Sequence, residues 1–114
     1  MKMIQAIIRR EKLGDVKKAL DGRTNPGMMV WEIMGHGKQK GMTEQFLGRD
    51  YKLDFIPKTK IEIIVPDDQA QSIIDTILKT ASTGQIGDGK IFVLPLEDCV
   101  RIRTGERGGQ AIGP

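Results

Sequence analysis

The loop at residues 83–90, with the sequence TGQIGDGK, combines three glycines with a terminal lysine. Glycine lets backbone N–H groups approach an anion closely, and Lys90 supplies a positive charge, so the loop favours binding of a phosphate or carboxylate. Gly84, four residues and Gly89-Lys90 match the P-loop spacing G-x-x-x-x-G-K, but Ile91 follows where magnesium binding requires serine or threonine. The loop also follows a predicted helix and precedes a strand, so we exclude a P-loop fold. A plain surface loop is the alternative interpretation.

Arg101 and Arg103 form a second candidate for anion binding. In an extended segment, side chains two residues apart point the same way. Guanidinium groups bind phosphate oxygens through forked hydrogen bonds. With the glycine loop, the pair predicts a polyphosphate site; a solvated strand face is the alternative.

Residues typical of catalytic or metal centres are scarce. His36 is the only histidine and Cys99 the only cysteine, which excludes an internal disulfide and a metal centre built on several histidines or cysteines of one chain. Acidic and basic residues show no convincing catalytic pairing, so we predict no catalytic site. Tyr51, the only tyrosine, lies in a polar stretch and offers a hydroxyl group there.

A long polar stretch, Gly35 to Lys58, separates two apolar runs that resemble neighbouring strands. A hairpin turn needs about two to five residues, and longer ordered loops in small domains usually carry function. The alternative is a disordered surface excursion. We expect the loop to be mobile without a ligand or target.

Length and charge set broad limits. The chain has 114 residues, which suits one domain. Its net charge of +3 is smaller than the positive charge typical of a nucleic-acid-binding domain. The chain has no apolar run near the roughly 18 residues of a membrane span and no signal-peptide pattern. We therefore expect a cytoplasmic protein.

The apolar periodicity predicts four strands and two helices in the order strand, helix, strand, strand, helix, strand. The strands are expected at 3–8, 28–34, 58–65 and 91–96, and the helices at 12–21 and from Pro66-Asp67 to Ala81, with a further short strand around Val100 to Ile102. This order is that of the ferredoxin-like split βαβ fold, an α+β class, in a single domain over 1–114. We expect residues 104–114 to be a flexible tail unless they dock.

Both faces of two predicted strands carry apolar residues. Met28, Val30 and Met34 alternate with Met29, Trp31 and Ile33, and the last strand, IFVLPL, is apolar on both sides as well. Helices can cover only one face of the sheet, so the pattern predicts an oligomer. Full burial of short central strands is the alternative.

Four segments together resemble the PII nitrogen-signalling family: KQKGMTE, DYKLDFIPKTKIEIIVPDD, TGQIGDGKIFV and RIRTGE. The similarity extends over nearly the whole chain. It implies a non-enzymatic homotrimer that binds ATP or ADP competitively in clefts between subunits and binds 2-oxoglutarate together with Mg²⁺ and ATP. The resemblance also implies that a long T-loop, 36–56, controls target proteins such as an ammonium transporter or a nitrogen-assimilation enzyme, with peripheral membrane recruitment through the target.

The resemblance implies a role for each matching position. The nucleotide would contact Met29, Gly37, Lys38, Gln39, Ile64, Gly87, Asp88, Gly89, Lys90, Arg101 and Arg103, the two arginines reaching the phosphates from across the cleft. 2-Oxoglutarate would contact Gln39, Lys40, Gly41, Lys58 and Gly87, and Gln39 would bind Mg²⁺. Tyr51 matches a tyrosine that some members have uridylylated.

Several positions depart from the family pattern, and two other function classes stay open. Lys38 replaces a common arginine, Met29 a frequent threonine, and Leu47 an arginine found in members that plug ammonium channels. An RNA-binding module of the same fold would need exposed aromatic residues in a K/R-G-F/Y-G/A-F-V type run, which KIFVL at 90–94 lacks, so we expect no nucleic-acid partner. A small phosphotransferase-like enzyme is the third class.

Overall fold

The computed structural model describes residues 1–23, 27–36, 43–46, 49–52 and 55–113, with 43–46 and 49–52 described as backbone. The strands are β1 (Lys2–Ile8), β2 (Met28–His36), β3 (Thr43–Phe46), β4 (Arg49–Lys52), β5 (Phe55–Val65) and β6 (Ile91–Pro95). The helices are α1 (Leu13–Leu20) and α2 (Asp67–Ala81), and two short 3-10 turns span Arg10–Lys12 and Gly108–Ala111.

The main sheet has four antiparallel strands in the order β2-β5-β1-β6, which with the two helices confirms the predicted ferredoxin-like α+β fold. Alternate residues of β1 and β5 face the helices and are buried, among them Ile4, Ile61 and Ile63. One face of α2 completes this core with Ile73 and Ile77. The single core therefore lies between one face of the sheet and the two helices.

Strands β2 and β5 are longer than predicted and extend toward the long loop. Gly35 pairs with Ile56 and His36 with Phe55, beyond the predicted ends at residues 34 and 58. Gly35 and Pro57 interrupt the apolar alternation, which is why the sequence pattern ended early. Pro57 is tolerated in β5 because the β1 pairing ends at Thr59, so no ladder hydrogen bond is required on that side.

The segment between β2 and β5 contains a separate pair of strands, β3 and β4. Tyr51 lies within β4, where its partner across the ladder is Glu44 in β3. The predicted mobility of this loop stays a prediction.

The C-terminal segment differs from one prediction. The expected strand around Val100 to Ile102 is wrong: Val100 forms one isolated bridge with Arg107, and residues 102–104 turn, because the Gly105 N–H bonds to the Arg101 carbonyl oxygen at 2.7 Å. In the tail, the carbonyl oxygens of Gln110 and Gly113 accept hydrogen bonds from Arg101, and the expected flexibility of 104–114 stays a prediction. Ala111 is buried there.

Two helix and strand limits also shift slightly. The predicted helix at 12–21 is α1 preceded by the 3-10 turn, and the last strand ends at Pro95. Within the part of the chain that the structure covers, no helix is long and apolar enough to cross a membrane.

Candidate functional site

A cleft of about 610 Å³ opens between the glycine loop and the ends of β1, β2 and β5. The loop contributes Gln85 to Lys90 to its wall, and the strands contribute Ile7, Gly35, His36, Ile56, Lys58 and Phe92. The sheet therefore brings predicted site residues 58 and 87–90 together, although they are distant in sequence.

The Asp88 carboxylate holds the loop in shape. It accepts hydrogen bonds from the backbone N–H groups of Thr83 and Gly84, both at 2.9 Å, and from the Thr83 hydroxyl at 2.5 Å. These bonds and the Arg9 guanidinium hold the pKa of Asp88 far below its ordinary value. The carboxylate is thus committed to the loop, and contact between Asp88 and a nucleotide stays a prediction.

Gly89 fixes the loop against β1. Its φ angle is +86°, and a Cβ atom there would stand 1.8 Å from the Ile7 carbonyl oxygen. The next residue, Lys90, accepts a hydrogen bond from the Ile7 N–H at 2.8 Å. Only glycine fits this position, because any side chain would displace the backbone of β1.

Arg9 contacts the loop at two points and was missed by the sequence interpretation. Its Nε donates to Asp88 Oδ1 and its Nη2 to the Ile86 carbonyl oxygen, each at 2.9 Å. The only feature of the sequence that could have indicated Arg9 is that it is a basic residue just after the first predicted strand. Arg10 has the same feature, so the sequence does not distinguish the two.

Lys58 extends from β5 into the cleft and is buried, with 8% of its surface exposed. Its ammonium group donates a hydrogen bond to the Gly87 carbonyl oxygen. Burial, and secondly the nearby Arg9 charge, lower the pKa of Lys58 below its ordinary value. The group is therefore a cation held in a poorly solvated position, where an incoming carboxylate would pair with it strongly.

The cleft carries positive charge and unused donors. Lys90 is exposed, Lys58 and Arg9 lie close by, and no hydrogen bond within the described ranges occupies the N–H groups of Gly87 and Gly89. Backbone amides that converge on one space beside cations form an anion-binding concavity. The arrangement can bind phosphate or carboxylate groups.

Of the predicted nucleotide residues that the structure describes, four do not line this cleft in the single chain. Met29 and Ile64 lie on the sheet face opposite the helices. The face toward the helices is formed in this part of β5 by the alternating residues Ile61, Ile63 and Val65, which are buried. Arg103 is exposed, in the turn that follows Arg101.

Arg101 folds toward the tail of its own chain. Its Nη1 contacts Glu106 Oε1 at 2.6 Å, and its Nη2 donates to the carbonyl oxygens of Gln110 and, at 3.2 Å, Gly113. Its Nε is buried and finds no hydrogen-bond partner within the described part of the chain. The predicted parallel alignment of Arg101 and Arg103 along a strand is therefore wrong.

The remaining predicted site residues, Gly37, Lys38, Gln39, Lys40 and Gly41, lie outside the described residues. Where the structure describes the chain, no group of three or more His, Cys, Asp or Glu side chains could hold a metal ion. His36 instead packs its ring against Phe55, with the ring centres 5.4 Å apart.

Comparison with known proteins identifies the family. The sequence profile for the nitrogen regulatory protein P-II matches residues 1–106. The chain is 54% identical over 112 residues to nitrogen regulatory protein P-II 2 of Methanothermobacter thermautotrophicus, covering 98% of this chain and 97% of that one. It is 54% identical to P-II 1 of Escherichia coli K12 and 53% identical to the P-II protein of Klebsiella oxytoca, covering 98% of this chain and 100% of theirs in both cases. The chain therefore belongs to the nitrogen regulatory protein P-II family, whose members are signal transducers that regulate partner proteins and are not enzymes.

Proposed function

We propose that this protein senses adenine nucleotides and 2-oxoglutarate and transmits their levels to target proteins of nitrogen metabolism. The observation that carries the proposal is the cleft beside the loop 83–90. Gly87, Gly89, Lys58 and Lys90 line this cleft, and no hydrogen bond among the described residues occupies the N–H groups of the two glycines, so the cleft suits phosphate and carboxylate groups.

The nucleotide would place its phosphates against Gly87, Gly89 and Lys90. Asp88 acts there indirectly, since its carboxylate keeps the loop folded. ATP and ADP would compete because they share these contacts. Mg²⁺ would enter with ATP, held by the phosphates and by Gln39.

The second half of each nucleotide site would come from a neighbouring subunit of a homotrimer. Two observations support this assignment. Arg101 and Arg103 do not line the cleft of their own chain, and Met29, Trp31, Phe92 and Leu94 leave the sheet apolar on its uncovered face, each with 39–48% of its surface exposed.

2-Oxoglutarate would bind next to the nucleotide, with its distal carboxylate on Lys58. Gly87, Gln39, Lys40 and Gly41 would complete the contacts, and the bound Mg²⁺ would be required. Because three of these residues belong to the segment that leads into the T-loop, occupancy of the site would change the loop and thereby the choice of target. An ammonium transporter, reached peripherally at the membrane from the cytoplasm, and a nitrogen-assimilation enzyme are the expected kinds of target.

Calorimetry on the purified protein tests the proposal. We expect ATP and ADP to compete, and 2-oxoglutarate to bind only when Mg²⁺ and ATP are present. Lys90→Ala should lower the affinity for ATP about ten- to 150-fold, which is the effect of losing one charged hydrogen bond. The control Lys79→Ala, on the exposed side of α2, should leave the ATP affinity unchanged. Binding of 2-oxoglutarate that is equally tight without Mg²⁺ and ATP would refute the scheme.

A further inference from the structure

Arg9 joins the end of β1 to the glycine loop through two different acceptors. One is the Asp88 carboxylate and the other is the Ile86 carbonyl oxygen, both 2.9 Å from guanidinium nitrogens. The side chains of Arg9 and Asp88 are only 17% and 24% exposed. A planar guanidinium held by two acceptors has little freedom, so the contact fixes the loop in orientation as well as in position.

The contact with Ile86 determines where the next N–H group points. A trans peptide unit is planar, and its C=O and N–H bonds point in opposite directions. When Arg9 holds the Ile86 carbonyl oxygen, the Gly87 N–H of the same peptide unit must point away from Arg9. The following peptide unit is held separately, because Lys58 bonds to its carbonyl oxygen and the Asp88 N–H bonds to Gln85 at 3.3 Å.

Arg9 also compensates the charge of Asp88. A carboxylate inside a loop that receives anions would repel them unless a cation neutralises it. The ion pair between Arg9 and Asp88 removes this repulsion, and the bonds to Thr83 and Gly84 use the remaining acceptor capacity of the carboxylate.

We propose that Arg9 is a positioning residue, which aims the Gly87 N–H into the cleft and neutralises Asp88 so that a phosphate or carboxylate can bind there. This inference rests on the proposed function for the identity of the anion. The geometry of the Gly87 amide can be tested without any ligand.

The first experiment measures backbone ¹⁵N relaxation in the full-length, ligand-free protein. Arg9→Gln should lower the order parameter of the Gly87 amide from a rigid value of about 0.85 toward 0.6. Arg10→Gln removes the same charge from the exposed neighbouring residue and is the matched control, so it should leave this amide rigid. An unchanged Gly87 amide in folded Arg9→Gln would overturn the proposal.

The second experiment measures ATP affinity in the same proteins and in Arg9→Lys. Arg9→Gln should lower the affinity for ATP about tenfold or more, and Arg10→Gln should leave the ATP affinity unchanged. Lysine keeps the charge but cannot hold both acceptors in a planar fork, so Arg9→Lys should remain clearly weaker than the wild type. Full rescue by Arg9→Lys would show that charge alone matters and would overturn positioning.

The two experiments separate failure of this inference from failure of the proposed function. If the wild-type protein binds no ATP, the proposed function fails, while the relaxation data still decide whether Arg9 orients Gly87. If Arg9→Gln does not fold, the relaxation of Arg9→Lys decides instead, and an unchanged Gly87 amide in that variant counts against the proposal.

Discussion

The Lys58 ammonium group donates a hydrogen bond to the Gly87 carbonyl oxygen, which links the middle of the sheet to the glycine loop across 29 positions of sequence. The family resemblance assigns Lys58 to 2-oxoglutarate. The hydrogen bond adds a second role, because the same group restrains the loop that would receive the phosphates.

Lys58→Met should therefore affect both ligands, and unequally. We expect the affinity for 2-oxoglutarate to fall about ten- to 150-fold, since this ligand loses a charged partner. The affinity for ATP alone should fall less, since only the restraint on Gly87 is lost. Calorimetry with each ligand measures this, with Lys79→Met as the control. ATP affinity that falls as far as 2-oxoglutarate affinity would contradict the division of roles.

The affinity for 2-oxoglutarate should also depend on alkaline pH. Burial lowers the pKa of Lys58 from its ordinary value of 10.5, so its charge is lost at a lower pH than that of an exposed lysine. We expect 2-oxoglutarate affinity to decline as pH rises, beginning at a pH below the ordinary lysine pKa of 10.5. A binding series from pH 7 upward checks this, and affinity that stays constant up to pH 10.5 would count against it.

Asp88 should make the protein sensitive to acid. Its folded pKa lies far below the ordinary value of 3.8, so the ionised carboxylate stabilises the fold above that pH, and this stabilisation is lost as the pH falls below it. Asp88→Asn should be less stable at pH 7 and should lose less stability between pH 4 and 2 than the wild type. Urea unfolding at several pH values measures both effects.

Asp75→Asn is the matched control for this experiment, because it removes the same charge from an exposed position of α2. An equal change in acid dependence for both variants would mean that net charge, and not the loop, is responsible.

The sequence predicted the core of the fold well, for a definable reason. Apolar residues alternate along β1 and the second half of β5, and one face of α2 is apolar at helical spacing, so Ile61, Ile63 and Ile73 had one consistent assignment. This reasoning from apolar periodicity failed at the ends of β2 and β5 near the long loop, because there the strands are extended by pairing with each other and not by burial. Gly35 and Pro57 belong to strands only because each has a partner across the ladder.

The candidate site was predicted less completely because its geometry depends on contacts between distant residues. Glycines and lysines of the loop were visible in the sequence, but the partner of Asp88 was not. Arg9 and Asp88 are 79 residues apart, and nothing in their local patterns distinguishes Arg9 from Arg10. The extended conformation predicted around Arg101 was wrong for a related reason: the turn at Gly105 brings Glu106 back onto Arg101.

The docked tail should compete with nucleotide for Arg101. Carbonyl oxygens of Gln110 and Gly113 accept from the guanidinium group that would otherwise reach a phosphate. Deleting residues 109–114 should therefore raise ATP affinity several-fold and lower thermal stability, since buried Ala111 is lost. Calorimetry and thermal unfolding measure the two effects, and a chain ending at Gly113 serves as control. ATP affinity that is unchanged or weaker in the deletion variant would exclude the competition.

The apolar sheet face should assemble the protein into a homotrimer. Light scattering should give a mass three times that of the 12.7 kDa chain. Leu94→Glu places a charge on the face opposite the helices, where burial between subunits would desolvate it, so this variant should be monomeric. Leu78→Glu, on the exposed side of α2, should remain a trimer. A stable wild-type monomer at micromolar concentration would contradict the prediction.

Mixed trimers should show that each nucleotide site is shared between two chains. Lys90→Ala alone and Arg103→Ala alone should each bind ATP weakly, because every cleft lacks one partner. When the two proteins are refolded together, a mixed trimer with sites between subunits contains one cleft in which an intact Lys90 faces an intact Arg103. About one tight site per mixed trimer should therefore reappear in calorimetry. If both residues served the same site from a single chain, mixing would restore no tight binding, and the shared site would be disproved.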